Sequence, residues 1–374
     1  MAITRMNDMK ISIIIPTYNE GLNVLSIADR IRNVAKHLYD YELIFVDDSR
    51  DDTPAVLESL SEADPNVQVL HREGERGLAT AVLEGFRMST GDLLIVMDAD
   101  LQHPPEVIPE MIRKISEGYD IVIPSRFVPG GSDGGLNIFR KAVSWTARSI
   151  ARTALKRLRP ITDPTSGFFA IRKEVQENVI LNPIGWKILM ELLVKGEYKT
   201  VTEIPFAFEA RSLGDSKMSF QEQMNFVRHT IRLMKASEED VRFWKFCLVG
   251  LSGVAVNSLT YTFLVRIGVF VPVAFGLATL LAMVCNFIWN DMFTWRFRKG
   301  DRLVWRFGKY VAVSCAGLAA SGATVAFVHG ALGVHYMAAG FGGIALSVFW
   351  NYMMNNKWTF QKPEQKPSHA GKIG

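Results

Sequence analysis

Cysteine is scarce in these 374 residues: Cys247, Cys285 and Cys315 are the only three, and all lie in apolar stretches of the second half. Neither a disulfide framework nor a zinc site is suggested, and the thiols read as small core or lipid-facing groups. The stretch nearest a phosphate loop, Gly74-x-x-Gly77, lacks both G-x-G-x-x-G and G-x-x-x-x-G-K-[ST], which weakens Rossmann-cofactor and P-loop readings. A strong charge imbalance is also missing: the net charge of +4 gives composition no argument for nucleic acid. Met1 to Lys10 is polar and the next apolar run is a six-residue strand, so no secretory leader is expected. Up to about Asp240 there is no long apolar run; from 243 to about 360 such runs dominate. That uneven distribution accounts for 48% hydrophobic residues and a mean hydropathy of +0.11 in a chain with so many charges.

The most informative stretch is Leu93-Leu94-Ile95-Val96-Met97-Asp98-Ala99-Asp100-Leu101-Gln102-His103-Pro104-Pro105. Five apolar residues make a strand buried on both faces, and the Pro-Pro pair stops it just beyond two carboxylates. Ligands of open α/β sheets sit at the carboxyl ends of strands. Asp98 and Asp100 are thus placed to share a divalent cation with a substrate phosphate, Gln102 supplying a further hard oxygen. An acidic strand-end loop, or the N-cap of a following helix, is the plainer alternative.

The surrounding chain alternates strand and helix patterns. Strands are expected at 11–15, 43–46, 67–70, 93–97 and 121–123, and helices at 22–38, after Thr53-Pro54 and at 77–88. The alternation predicts an α/β fold with a doubly wound, parallel sheet. Several strands end in polar groups on what should be one edge. Tyr18 and Glu20 follow the first and are expected near a nucleotide; Asp48 follows the second and fits either a nucleoside contact or a helix cap.

Ile14-Ile15-Pro16-Thr17-Tyr18-Asn19-Glu20, Val46-Asp47-Asp48-Ser49 and Met97-Asp98-Ala99-Asp100-Leu101-Gln102-His103-Pro104-Pro105-Glu106 resemble three blocks of the GT-A glycosyltransferases of family 2, and within it of the polyprenyl (dolichyl) phosphate mannose synthases. The resemblance spans the whole first half. It implies a Rossmann-like, mostly parallel GT-A catalytic domain in which Pro16, Tyr18, Glu20, Val46 and Asp48 contact the nucleotide. It further implies that Asp98, Ala99, Asp100 and Gln102 form the metal–diphosphate site, with Asp98, Asp100 and Gln102 holding Mg2+ or Mn2+. Arg126, Arg211 and Lys217 match basic positions that close over the diphosphate and sugar. Asp100 and Arg126 are the expected catalytic pair. The Gln-x-x-Arg-Trp motif of polymerising members is absent, which weakens a processive synthase.

Residues 137–159 interleave Ile138, Phe139, Val143, Trp145 and Ile150 with Arg140, Lys141, Arg148, Arg152 and Arg157, and no acid interrupts them. Such a helix reads as lying in a membrane interface against anionic headgroups, with a solvated basic face or nucleic-acid binding as the alternatives. Arg140 and Ser144 are four apart and so share a side, where with Arg126 they are expected to hold an acceptor phosphate. Asp163 fits either an acceptor-site carboxylate or a turn cap. Residues 186–194 read as a helix, 200–205 as an edge strand, 211–217 as a polar loop that orders on substrate, and 219–235 as a second surface-lying helix.

Four stretches, 243–267, 269–289, 307–332 and 336–354, approach or exceed the roughly 20 residues of a spanning helix. Basic residues (Arg296, Arg298, Lys299, Arg302, Arg306, Lys309) crowd the segment between the second and third, placing the catalytic domain and both termini in the cytoplasm. The unit repeats: Arg242-Phe243-Trp244-Lys245-Phe246 matches Arg306-Phe307-Gly308-Lys309-Tyr310. Asn286-x3-Asn290 with Phe293-Thr294-Trp295 matches Asn351-x3-Asn355 with Trp358-Thr359-Phe360. It resembles the four-span domain of bacterial O-antigen glucosylation systems. The expected organisation is a catalytic domain at 1–240, an all-α four-helix transmembrane domain at 241–361 and a polar tail at 362–374. The expected enzyme is a multi-pass membrane protein. It transfers mannose from GDP-mannose to dolichyl or polyprenyl phosphate with inversion, needs a divalent cation and binds no nucleic acid. The alternatives are a UDP-sugar donor (glucose or N-acetylglucosamine type) or a non-catalytic lipid-sugar translocator or scaffold.

Overall fold

The computed structural model describes residues 9–35, 39–74, 77–134, 138–209, 220–298 and 300–361. The chain divides into two compact units at Ser237/Glu238.

The first unit is an α/β sandwich. Its strands are β1 (Lys10–Thr17), β2 (Asp40–Asp47), β3 (Val67–His71), β4 (Leu93–Val96), β5 (Ile121–Ser125), β6 (Phe169–Arg172) and β7 (Val201–Pro205), and its sheet order is β3-β2-β1-β4-β6-β5-β7. β1 is parallel to both β2 and β4, with Ile13 opposite Leu43 on one side and Ile95 on the other. β6 runs antiparallel to β4 and β5, so the sheet is mixed rather than wholly parallel. Helices α1 (Gly21–Ala35), α2 (Thr53–Ala63), α3 (Leu78–Met88), α4 (Ile108–Ser116), α5 (Ile138–Ala154), the single turn α6 (Glu174–Glu177), α7 (Ile188–Lys195) and α8 (Phe220–Ala236) complete the unit.

The period-2 alternation of each central strand splits its apolar side chains between two faces. On β1, Ile11, Ile13 and Ile15 join a core with Val24, Ile27 and Ile31 of α1 and Met111 and Ile112 of α4. Ile14 points the other way, with Leu94 and Val96 of β4, into a core shared with α3, α7 and Phe226 and Leu233 of α8. Both faces are covered, so β4 is a continuous apolar run, and its polar functional residues begin only where it ends.

The second unit is helical: α9 (Glu238–Arg266), α10 (Val271–Trp289), α11 (Leu303–Gly330) and α12 (Tyr336–Met354). The first three are long and apolar enough to cross a membrane; α12, which carries Gly340, Gly342, Gly343 and Asn351, does not reach that hydropathy. Large apolar side chains such as Leu251, Leu259, Phe263 and Leu318 face outward, as a lipid-facing surface requires. Small residues let helices approach: a Cβ on Gly253 would overlap Asn286, and one on Gly317 would lie 2.7 Å from Asn351 Nδ2. Trp295 and Phe360, equivalent positions of the repeat, stack at 4.5 Å with 6° between their planes.

Candidate active site

Because β1, β2 and β4 are parallel neighbours, their carboxyl ends open on one side, and a cavity of about 650 Å3 lies there. Pro16 at the end of β1, Tyr18 and Glu20 after it, Asp48 after β2, Asp98, Ala99, Asp100 and Gln102 after β4, and Arg126 after β5 all line it. Ser144 lines it from α5. Val46 does not: its side chain is buried in the core beneath α3. Arg140 falls on α5, with its side chain outside the described residues, and Arg211 and Lys217 lie outside them altogether.

Local backbone chemistry aims these groups. Asn19 and Leu101 are the two non-glycine residues with positive φ among the described residues, at 52° and 61°. Asn tolerates this region, and its side chain accepts from Arg50 N while its own N–H donates to Ser49 Oγ, joining the β1 and β2 loops. Leu101 has no such excuse; a left-handed leucine costs about 1 kcal/mol or more and is held by its surroundings. It sits inside the Asp98–Gln102 turn, where Gln102 N donates to Asp100 Oδ1 at 3.2 Å and Gln102 Nε2 donates to Glu209 O at 3.2 Å. Asp98 N donates to His103 Nδ1, and the His103 ring stacks on Phe168 at 5.1 Å. Burial pushes His103 down to about 4, so at neutral pH its Nδ1 is an acceptor for that turn.

The charged groups are held in pairs. Asp48 accepts from Arg72 Nε at 2.7 Å and a terminal nitrogen at 2.6 Å, and also from Gly77 N. Arg126 donates through two nitrogens to Asp163 Oδ2 at 3.0 and 2.9 Å, and its guanidinium lies 5.0 Å from the Phe208 ring centre. Asp163 is fully buried, and its own N–H is fixed by Glu203 of β7. Asp163 orients Arg126 and also accepts from Thr165 Oγ1 within its own turn. The Glu20 carboxylate accepts from Asn23 Nδ2 in the first turn of α1. Lys187, at the start of the helix expected over 186–194, lines the cavity and donates to Thr165 O at 3.0 Å. Burial, aided by Arg126, pushes its pKa down. Arg72 and Lys187 gave no sequence signal for this role: Asp48 and Thr165, to which they donate, lie 24 and 22 positions away.

The residues present fit a divalent cation. Two carboxylates and an amide form an all-oxygen donor set suited to Mg2+ or Mn2+. Gly167 keeps one flank of that turn open, since a Cβ there would sit 2.8 Å from Asp98 Oδ2.

Residues 12–180 match the glycosyl transferase family 2 model, and 245–360 match the GtrA/DPMS transmembrane domain. The chain is 44% identical to a dolichol-phosphate mannosyltransferase of Pyrococcus furiosus, over 94% of this chain and 99% of that protein. The chain belongs to the dolichol-phosphate mannosyltransferase family. It is a glycosyltransferase with a GT-A catalytic unit and a multi-pass membrane protein. The Saccharomyces cerevisiae member is 38% identical over 56% of this chain and 80% of its own length. Among solved structures, glucosyl-3-phosphoglycerate synthase of Mycobacterium tuberculosis, in complex with Mn2+, UDP-glucose and phosphoglyceric acid, matches with a TM-score of 0.49. It is 19% identical over 63% of this chain and 82% of that one.

Proposed function

We propose that the enzyme transfers mannose from GDP-mannose to the phosphate of dolichyl or another polyprenyl phosphate, with inversion, at the cytoplasmic face of the membrane. The relatives' names support mannose and a dolichol-phosphate acceptor. The observation that carries the reading is the meeting of Asp98, Asp100, Gln102, Arg126 and Ser144 around one cavity at the sheet's carboxyl edge. In the proposed step an acceptor phosphate oxygen attacks the anomeric carbon. The new bond to that oxygen forms as the bond to GDP breaks, the electron pair leaving on the diphosphate. A phosphate monoester is already anionic at neutral pH, so no general base is required. Pro16, Tyr18, Glu20 and Asp48 form the nucleoside side of the cavity; Arg126 and Ser144 line the acceptor side, and Arg140 is proposed to join them. Arg211 and Lys217 belong to the loop proposed to close over the diphosphate.

Asp98, Asp100 and Gln102 would hold Mg2+ or Mn2+, which when bound supplies neutralising charge to the departing diphosphate. Arg126 contributes a fixed positive charge whose orientation Asp163 sets before substrate arrives, so little reorganisation accompanies the reaction. The basic segment between α10 and α11 supports a cytoplasmic site, and four spans rather than three return the chain to that side. The test is purified protein with polyprenyl phosphate, Mg2+ or Mn2+, and labelled GDP-mannose, UDP-glucose and UDP-N-acetylglucosamine in parallel. Lipid-linked mannose from GDP-mannose alone, abolished by chelator, is expected. Transfer from only a UDP-sugar would remove the mannose assignment, and chelator-resistant turnover the metal assignment.

A further inference from the structure

At the second residue of the turn that ends each copy of the membrane-unit repeat, a carboxylate in one copy is an amide in the other, and the difference leaves an electrostatic mismatch. Each copy ends in a wide helical turn: Trp295 N donates to Asn290 O, and Phe360 N to Asn355 O, both at 2.9 Å and five residues apart. Turns of this width recur at functional sites. The second residue of the turn is Asp291 in the first copy and Asn356 in the other. Asp291 meets Arg306, which donates to its carboxylate through Nε at 2.9 Å and a terminal nitrogen at 2.7 Å. Both side chains are buried and the charges match.

Arg242 is the repeat's counterpart of Arg306, and it meets an amide instead. Its guanidinium reaches Asn356 Oδ1 at 3.4 Å. Arg298 donates to the same oxygen at 3.2 Å, and Trp295 Nε1 at 3.2 Å. One neutral oxygen with about two lone pairs thus faces three donors, two of them cationic. Glu238 comes within 3.7 Å of Arg242, but its side chain is 94% exposed. Burial, with the charge of Arg242 beside it, pushes Arg298 below its usual pKa; Glu238 and Glu239 act in the opposite direction. Phe297 is 85% exposed next to Arg298, and Trp358 is exposed beyond Asn356, an aromatic edge of the kind found at headgroup depth.

We propose that Arg242 and Arg298, around Asn356, bind a phosphate group, supplied by an acidic lipid headgroup or by free phosphate. The anionic oxygens supply, beside Asn356, the negative charge that the Asp291 carboxylate supplies in the other copy. The site lies wholly in the membrane unit and does not depend on which sugar the enzyme transfers.

The test uses the full-length protein in phosphatidylcholine nanodiscs, with and without phosphatidylglycerol, and in a third arm with inorganic phosphate. Thermal unfolding and lipid retention in native mass spectrometry are the readouts. Phosphatidylglycerol should raise the wild-type Tm. Asn356→Asp builds the missing carboxylate into the protein, so it should raise Tm without added anion and lose the lipid's increment. Arg298→Gln should bind phosphatidylglycerol about tenfold more weakly, the loss of one charged hydrogen bond, without the gain in Tm. An increment from inorganic phosphate equal to the lipid's identifies free phosphate as the occupant; an increment from the lipid alone identifies the headgroup. An equal lipid increment in wild type and both variants, or none in wild type, overturns the site.

Discussion

Both units bury an arginine against an aspartate, yet the two pairs are built for different ends. In the catalytic unit Asp163 is fully buried while the Arg126 side chain keeps 14% exposure and borders the cavity. In the membrane unit the Arg306 and Asp291 side chains are equally buried, at 7% and 8%, and Arg306 also donates to Asp301 O. The first arrangement leaves positive charge available to a ligand; the second consumes it in closing a helix turn. A buried aspartate partnered by arginine is therefore a poor guide to function until one knows which partner still faces open space.

The largest effect should come from the cavity. Asp100→Ala is expected to lower transfer about a thousandfold or more, the scale of losing a principal electrostatic contributor. Thermal stability should change little, because Asp100 sits on a loop at the cavity wall. A variant that retains near-normal turnover would reject its place in the metal site. Asp291→Asn tests the other half of the comparison. Leaving Arg306 buried without its carboxylate should cost about 3–5 kcal/mol of stability. Folded molecules should keep their turnover. A Tm equal to that of wild type would show that the pair closes nothing.

A smaller effect is expected at Glu191 of α7, which is fully buried behind the cavity wall and accepts from Lys195, His229 and Asn182 N. Burial opposes its charge, but these donors outweigh burial and hold its pKa below the ordinary 4.5. A carboxyl depressed in the folded state stabilises fully above its unfolded value, and that contribution is lost as pH falls through the folded one. Stability should thus decline on acidification below about pH 4.5. Glu191→Gln should lower neutral-pH stability by about 1–3 kcal/mol and flatten the acid limb. Unchanged acid curves in the variant would assign that limb to other carboxylates.

The comparison also explains what was legible in the sequence. Asp98, Asp100 and Gln102 stand within five residues at the end of an apolar run, so their convergence is local and readable. So is the repeat, because copied residues keep their spacing. Asp48–Arg72 and Arg126–Asp163 pair residues 24 and 37 positions apart, and only the strand order brings them together. The reversed direction of β6 left no trace either: Phe169-Ala170-Ile171 is apolar on both faces, and such a run carries no mark of polarity. Asp163 fits an acceptor-site carboxylate or a turn cap from sequence; its hold on Arg126, 37 positions away, had no sequence signal.

Arg30 sharpens the contrast at its weak end. It sits on α1 and forks between Glu106, in the turn that follows the Asp98–Gln102 segment, and Glu209, whose backbone brackets Gln102 from both sides. The clamp stands behind the cavity and faces water, unlike the enclosed pair of the membrane unit: Glu106 and Glu209 are 55% and 44% exposed. Solvent screening limits such a network, so Arg30→Ala should cost about 1 kcal/mol or less. High salt should shrink that difference further, since exposed charges are screened within about 10 Å at ordinary ionic strength. The same variant should raise the concentration of Mn2+ or Mg2+ needed for half-maximal transfer, because the turn that presents Gln102 loses a brace. A loss of stability without any change in metal requirement would make Arg30 a surface clamp alone, with no hold on the cavity it backs.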